Sequence, residues 1–208
     1  MNKKIIYIVL AALLLVAIII SAVKGLRVGL IYGEGTELSF SLADKDVSEN
    51  EVKEIAKQVF PNNKFIIQRI EYFTNSALVK VDKADVTQEE IDSFKDKINE
   101  KYNEKIESGN IEVNHVQNVK LRTIVEPYVG PLGLSLLVIL GYFAVRYKGT
   151  KEMLSLIKFL AIFEALLFCV YAICRVPVNG VTMPLFTLVF FGTIIGQTIV
   201  NEFKAKED

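Results

Sequence analysis

The sequence predicts an α-helical membrane protein with four transmembrane helices and one α+β domain outside the membrane. Of its 208 residues, 51% are hydrophobic and 23% are charged, and the mean hydropathy is +0.36. These values are compatible because the two kinds of residue are segregated: about two-thirds of the charged residues lie between Gly25 and Glu126, and long apolar runs flank this segment. Within the charged segment, strand and helix patterns alternate as in a small globular domain.

The first apolar run predicts a membrane anchor over residues 1–23. A short basic start, Met1 to Lys4, precedes an uninterrupted run of apolar and small residues from Ile5 to Val23. About 20 such residues span the hydrocarbon core of a bilayer. A cleaved signal peptide is the alternative, because Ser21 and Ala22 are small. The apolar region of a signal peptide is shorter, roughly 7–15 residues, so we predict a retained anchor.

Four glycines follow the anchor in the stretch KGLRVGLIYGEGT, from Lys24 to Thr36. Such a density of glycine indicates backbone with unusual dihedral angles or close approach to another chain segment. A flexible exit from the membrane is the simpler interpretation of the same composition.

The segment 24–126 is predicted to fold as one domain. Alternating apolar residues indicate a strand at Glu37–Leu42. Ser48 and Glu51 have the spacing of a capping box, and the helix that follows is expected to stop at Pro61. Residues 65–73 and 77–82 are rich in strand-forming residues, and a turn at 74–76 separates them.

A second capping box, Thr87 with Glu90, begins the next predicted helix, and Ile111–Leu121 is the last predicted strand. The resulting β-α-β-β-α-β order is that of the ferredoxin-like split unit. His115 lies on the patterned face of the last strand without a second metal ligand at suitable spacing. We therefore expect a partly buried structural residue there.

Residues 127–208 are predicted to form three further spans. The Pro/Gly-rich stretch Ile124–Gly133 is interpreted as a joint that ends the α+β domain. The spans are expected at about 131–147, 152–175 and 181–203, with short polar loops between them. Cys169 and Cys174 lie five residues apart in one span, so they point in different directions and are not expected to form a disulfide.

Basic residues favour an orientation with both termini in the cytoplasm, in a multi-pass protein of the cytoplasmic membrane. Lys24 and Arg27 oppose this orientation, but the other side has the larger basic excess. The α+β domain is then extracytoplasmic. The residues on the expected inner side are Lys3, Lys4, Arg146, Lys148, Lys151, Lys204 and Lys206.

Several classes of function are disfavoured by composition and motifs. Between Lys24 and Glu126 there are 15 basic and 19 acidic residues, a net charge of about −4, which does not suit binding to nucleic acid. The sequence has no nucleophile–base set, metal-ligand cluster or phosphate-binding loop. We therefore expect no catalytic residues, no bound metal or cofactor, and no enzymatic activity.

Glu164 is the one carboxylate inside an apolar span, and an ionisable residue in a span is a functional-site hypothesis by default. It lies roughly 18 Å beyond Glu152 along a helix. Thr193, Gln197 and Asn201 follow one another at four-residue steps and share a helical face. These four residues are our candidate proton-relay group, with Thr193 and Gln197 better placed than Asn201 to contact Glu164. The alternative is a Glu164 that only aids helix packing.

Two other features of the spans indicate packing rather than chemistry. Gly192 and Gly196 form a small-xxx-small pair that lets another helix approach closely. Lys158 lies six residues before Glu164, some 240° away around the helix. Lys158 is therefore expected to extend towards the inner membrane surface rather than to pair with Glu164.

The order of these features resembles the SecF subunit of the SecDF protein-export complex, a branch of the RND superfamily of proton-driven transporters. Residues 25–37 resemble the motif that follows the first span of that family, and Val129-Gly130-Pro131 matches the joint before its second span. Tyr142–Tyr147 resembles the end of its second span, and Ile194–Thr198 resembles the family's IIGYS segment. The motif positions matched after the first span include Gly25, Gly29, Gly35 and Thr36.

The resemblance implies a component that assists protein export together with a SecD-like subunit, or a second SecF-like half, and the Sec translocon. The chain departs from the family at the residues of the proton pathway. A His-Asp pair of the family falls near Phe163-Glu164, and an acid falls on Asn201. The family also has six spans, whereas this sequence has four. A non-conducting scaffold or sensor derived from a SecF-like half is therefore the alternative function.

Overall fold

The computed structural model describes residues 3–43, 45–69, 74–103, 106, 111–147 and 150–207. Contacts divide the chain into two compact units, one of Met1–Val28 with Lys120–Asp208 and one of Gly29–Val119. The elements are α1 (Lys3–Lys24), β1 (Gly35–Ser41), α2 (Glu49–Val59), β2 (Phe65–Arg69), β3 (Ser76–Val81), α3 (Gln88–Tyr102), β4 (Ile111–Val116), α4 (Leu121–Tyr147), α5 (Thr150–Ile173) and α6 (Thr182–Glu207).

Four helices of the described chain are long and apolar enough to cross a membrane, at Lys4–Lys24, Leu121–Tyr147, Thr150–Ile173 and Thr182–Lys204. Many of their large apolar side chains are exposed, as expected of helices that contact lipid rather than water. The chain is therefore built as a multi-pass helical membrane protein that carries a small α+β unit.

The α+β unit is a four-stranded antiparallel sheet in the order β2-β3-β1-β4, with α2 and α3 packed on it. The predicted β-α-β-β-α-β sequence of elements is confirmed. Alternate residues of β1 and β3 face the helices, and these include Leu38, Phe40 and Val79. The aromatic centre of the core is Phe94 of α3, whose ring lies 5.8 Å from that of Phe40 and 6.3 Å from that of Phe60.

One of the two predicted capping boxes forms. Thr87 and Glu90 exchange both bonds of the box at the start of α3. Lys83 donates to the Glu90 carboxylate at 2.6 Å, and this bond is the main reason that the pKa of Glu90 lies below its ordinary value.

The box predicted at Ser48 and Glu51 is wrong. Ser48 is the N-cap of α2, but its side chain makes no capping bond. The Ser48 amide instead donates to the hydroxyl of Tyr102, 3.0 Å away, and Glu51 forms an ion pair with Lys101 at 3.4 Å. The box requires the Ser48 amide and the Glu51 carboxylate to bond each other's residue. Both groups instead contact α3, which is distant in sequence.

One outer strand is shorter than predicted. Strand β2 runs from Phe65 to Arg69, and the rest of its predicted range, 70–73, lies outside the described residues. Strand β4 ends at Val116 rather than Leu121, which instead begins α4.

The expected partial burial of His115 is wrong, because 45% of its side chain is exposed. Strand β4 is an edge strand, and the helices cover only Ile111 at one end of it. The His115 Nδ1 atom lies 2.9 Å from the Ala84 carbonyl oxygen, and its Nε2 atom lies 3.8 Å from the Glu34 carboxylate.

Two glycines after α1 have specific conformational roles. Gly25 has a φ of 64°, a left-handed conformation that commonly ends helices, and its amide bonds to the Ser21 carbonyl at 3.0 Å. At Gly35 a Cβ atom would overlap the Val81 carbonyl oxygen of the neighbouring strand. The next residue, Thr36, points its hydroxyl at the carbonyls of Lys83 and Ala84, 2.8 Å from each. An unusual dihedral angle therefore explains the glycine at position 25, and close approach to the neighbouring strand explains the glycine at position 35. Flexibility is not needed to explain either.

The predicted joint is part of a helix. Val129, Gly130 and Pro131 all lie inside α4, which also contains Pro127 and begins at Leu121 rather than near residue 131. Each proline removes one backbone donor from the helix, and such losses are tolerated in membrane helices. The Pro/Gly-rich composition therefore marks the first turns of a long helix and not a break before it.

Candidate functional site in the helical bundle

Helices α1 and α5 lie side by side and run in the same direction. At one end, the Lys158 ammonium lies 4.6 Å from the centroid of the Tyr7 ring. Beyond the other end, Val28 and Val178 form a parallel bridge, and the Val178 amide donates to the Arg27 carbonyl at 2.8 Å. The Arg175 guanidinium also donates to the carbonyl of Gly25. The start of α1 and the start of α5 therefore share one end of the bundle.

Helices α4 and α6 finish at that same end, where an ion pair joins them. The Arg146 Nε and Nη2 atoms donate to the two oxygens of Glu202, at 3.1 and 2.9 Å. The Tyr147 hydroxyl adds a third bond to Glu202, at 3.0 Å. A two-pronged arginine–carboxylate pair fixes orientation as well as distance. This pair joins α4 to α6 at the end of the bundle where α1 begins and α6 ends.

Sequence reasoning did not single out Glu202. The sequence does show an acidic residue near the end of the fourth predicted span. Arg146 lies near the end of the second span, which finishes on the same side of the membrane. A carboxylate near a helix C-terminus is unfavourable without a cation, and this consideration would have pointed to Arg146 as its partner.

Gln197 and Asn201, two of the four candidate relay residues, are brought together. The Gln197 amide nitrogen lies 3.4 Å from the Asn201 side-chain oxygen and 3.2 Å from the Ser155 hydroxyl of α5. Gln197 is 8% exposed and Asn201 is 5% exposed. The Asn201 Nδ2 atom is buried without a hydrogen-bond partner among the described residues. Ser155 was not predicted, because a lone serine in a span carries little signal.

Thr193 does not join this group. Its hydroxyl donates to the Val189 carbonyl of its own helix at 2.8 Å, a common way for a threonine in an apolar helix to satisfy its hydroxyl. Thr193 nevertheless lines the same groove between α5 and α6 as Ser155 and Gln197.

Glu164 is separate from the other three candidates. Its Oε1 atom is buried and has no hydrogen-bond partner within the described part of the chain, so the expected contact with Thr193 or Gln197 is not formed. Position along the helix gives the reason: Glu164 follows Ser155 by nine residues, which is roughly 13 Å along α5. Because Ser155 contacts Gln197, Glu164 lies beyond the level of Gln197 and also beyond that of Thr193, one turn away on α6.

The two glycines of α6 do not pack against the chain itself. A Cβ atom at Gly192 or Gly196 would meet no atom within 4 Å. Both line a groove of about 590 Å³ between α5 and α6, whose walls include Phe159 and Phe163. The small-xxx-small pair therefore leaves a surface that another helix could approach closely.

Among the described residues of the bundle, the candidate relay positions comprise one isolated carboxylate and one neutral polar cluster. Amide and hydroxyl groups, as in Ser155, Gln197 and Asn201, form hydrogen bonds but do not change charge at ordinary pH. Glu164 can change charge. Across the described residues, no three His, Cys, Asp or Glu side chains are close enough to hold a metal ion.

Comparison with known proteins gives no family for the chain. No protein-family model matches the sequence, and no curated protein matches it significantly.

Proposed function

We propose that this chain is a SecF-like membrane component that assists protein export across the cytoplasmic membrane. The proposal rests on the order of the elements: one helix, a β-α-β-β-α-β unit and three further helices. The family-like positions also have clear structural roles in this chain, since Gly25 ends α1, and Gly35 and Thr36 anchor β1 to its neighbours.

The α+β unit is proposed to be ferredoxin-like. In a split β-α-β unit another strand lies between the two strands that the first helix connects. The sheet order β2-β3-β1-β4 supports this assignment, because β3 lies between β1 and β2. In the proposed orientation this unit is extracytoplasmic and contacts the emerging polypeptide or a partner subunit.

Both termini are proposed to be cytoplasmic. The start of α1 and the end of α6 lie at the same end of the bundle, through the contacts of Tyr7 with Lys158 and of Gln197 with Ser155. Lys4, Arg146, Lys151 and other basic residues lie in the segments at that end, and such an excess marks the cytoplasmic side.

The partner is proposed to be a SecD-like subunit, or a second SecF-like half, within the Sec translocon. The groove at Gly192 and Gly196 supports this, since its open glycines allow close approach of a helix from another chain. The proposed activity is coupling in the membrane and not enzymatic catalysis.

The observation that carries the proton-responsive part of the proposal is the Oε1 atom of Glu164, which is buried without a hydrogen-bond partner among the described residues. A buried polar atom without a partner costs about 1–3 kcal/mol, and a carboxyl at mid-span costs about 2.5–3.5 kcal/mol more than an apolar residue on insertion scales. A role in taking up and releasing a proton would explain why such a residue is present there. In the proposal Glu164 acts alone, without the relay partners expected from sequence.

Replacing Glu164 by glutamine is expected to abolish proton-dependent stimulation of export, because glutamine has nearly the same shape but cannot exchange a proton. The measurement is export of a secreted precursor into inverted membrane vesicles with and without a proton gradient. Glu152→Gln, at the start of α5, is the matched control and should retain the stimulation. An unchanged response in Glu164→Gln would remove the proton-responsive role.

A non-conducting scaffold is the second candidate function. It is favoured by the bonding of the expected relay partners elsewhere: Thr193 bonds within its own helix, and Gln197 bonds to Ser155 and Asn201. Under this alternative, Glu164→Gln leaves export unchanged, and the chain is recovered with a partner other than the translocon.

A further inference from the structure

A second feature of the bundle is an apolar crevice between α1 and α5, with a volume of about 340 Å³. Small side chains form much of its wall, among them Ala11, Ala161 and Ala165. It is distinct from the groove at Gly192 and Gly196, and the proposed role in export does not depend on it.

The crevice carries a cation at one end. Lys158 lines it, with its ammonium 4.6 Å from the centroid of the Tyr7 ring, also a lining residue. No carboxylate lies within ion-pair range of Lys158 among the residues the structure describes. The ammonium is thus held in place by an aromatic face while its charge remains without a counter-ion.

The level of this cation is that of the lipid headgroups. Tyr7 comes three residues after Lys4, at the start of the apolar run of α1. Tyrosine and lysine at such positions mark the boundary between headgroups and hydrocarbon. Lys158 lies within the apolar span, and its long side chain carries the ammonium towards the level of the phospholipid phosphates.

The crevice is long enough to hold one acyl chain. Its lining on α5 extends from Lys158 to Cys169, 11 residues, or roughly 16 Å along a helix. An acyl chain in one leaflet spans half of the hydrocarbon core, which is about 15 Å. A chain that begins beside Lys158 would therefore fill the crevice.

We propose that the α1–α5 crevice binds one anionic phospholipid of the leaflet at the Lys158 end, which is the cytoplasmic leaflet in the proposed orientation. Its phosphate contacts the ammonium of Lys158 beside Tyr7, and one acyl chain lies along Ala11, Ala161 and Ala165. The negative headgroup complements the unpaired cation, and the chain fills the apolar crevice.

The test measures lipid retention by native mass spectrometry of the full chain. The protein is extracted from nanodiscs that contain equal amounts of phosphatidylglycerol and phosphatidylcholine. The wild type is expected to keep one phosphatidylglycerol in preference to phosphatidylcholine. In Lys158→Gln the ratio of retained phosphatidylglycerol to phosphatidylcholine should fall about fivefold, because one lysine near the surface contributes about 1 kcal/mol towards an anionic lipid. Lys158→Arg should keep it.

Two matched controls separate the crevice from general effects of charge and size. Lys204→Gln removes a lysine that lines the other groove and should leave the preference unchanged. Ala165→Leu fills the crevice and should reduce retention of both lipids, whereas Ala144→Leu, on an exposed face of α4, should not. Equal preferences in Lys158→Gln and Lys204→Gln would overturn the proposal, and so would full retention in Ala165→Leu. Displacement of the lipid by inorganic phosphate alone would also overturn it.

Discussion

Replacing Phe94 by alanine is expected to destabilise the α+β unit by about 3–5 kcal/mol, the usual range for a large aromatic residue in a core. Phe94 is 0% exposed and its ring contacts those of Phe40 and Phe60. Removal of its ring leaves a cavity between the sheet and both helices. Because a whole domain is stable by only about 5–15 kcal/mol, such a loss would leave much of the unit locally unfolded.

Hydrogen–deuterium exchange of the full chain in detergent measures this effect. Peptides from β1, β3 and α3 should exchange much faster in Phe94→Ala, while peptides from α5 and α6 should exchange as in the wild type. Phe163→Ala, at a residue 46% exposed in α5, is the size-matched control and should leave the α+β unit unchanged. Unaltered protection of β1 and β3 in Phe94→Ala would contradict the described core.

Gly35→Ala is expected to disturb the same unit through the backbone. The new Cβ atom would overlap the Val81 carbonyl oxygen, so β1 must move away from β3 at the pair Thr36–Val81. Overpacking of this kind costs about 1–3 kcal/mol. The Thr36 hydroxyl, which is bonded to the Lys83 and Ala84 carbonyls, would also be displaced.

The expected result for Gly35→Ala is a lower midpoint of thermal unfolding, followed by near-ultraviolet circular dichroism. Gly141→Ala provides the control, because a Cβ atom at Gly141 meets nothing within 4 Å and alanine favours a helix over glycine. It should be neutral or slightly stabilising. If Gly35→Ala were as stable as the wild type, the close approach at Val81 would not exist.

Much of the fold could be predicted because local patterns and tertiary structure agree in most segments. The Thr87–Glu90 box forms because the bond from Lys83 to the Glu90 carboxylate leaves both bonds of the box in place. The Ser48 box failed because the Tyr102 hydroxyl and Lys101 compete from another helix. Sequence spacing cannot show such competition, nor could it show that β4 is an edge strand that leaves His115 exposed.

The membrane site was less predictable, for a geometrical reason. The four-residue spacing correctly placed Gln197 and Asn201 on one face, and the structure joins them. Whether Glu164 lies level with them depends on how α5 is placed along α6, which the contact between Ser155 and Gln197 shows. The Arg146–Glu202 pair likewise depends on the packing of α4 beside α6.

The most direct test of the proposed export function is pulse-chase labelling of a secreted precursor in cells depleted of this chain. The proposal predicts that the precursor accumulates on depletion and that the wild-type chain, supplied from a plasmid, restores processing to the mature form. The Phe94→Ala chain serves as the misfolded control and should restore less. Normal processing in depleted cells would contradict a role in protein export and leave the scaffold as the remaining function.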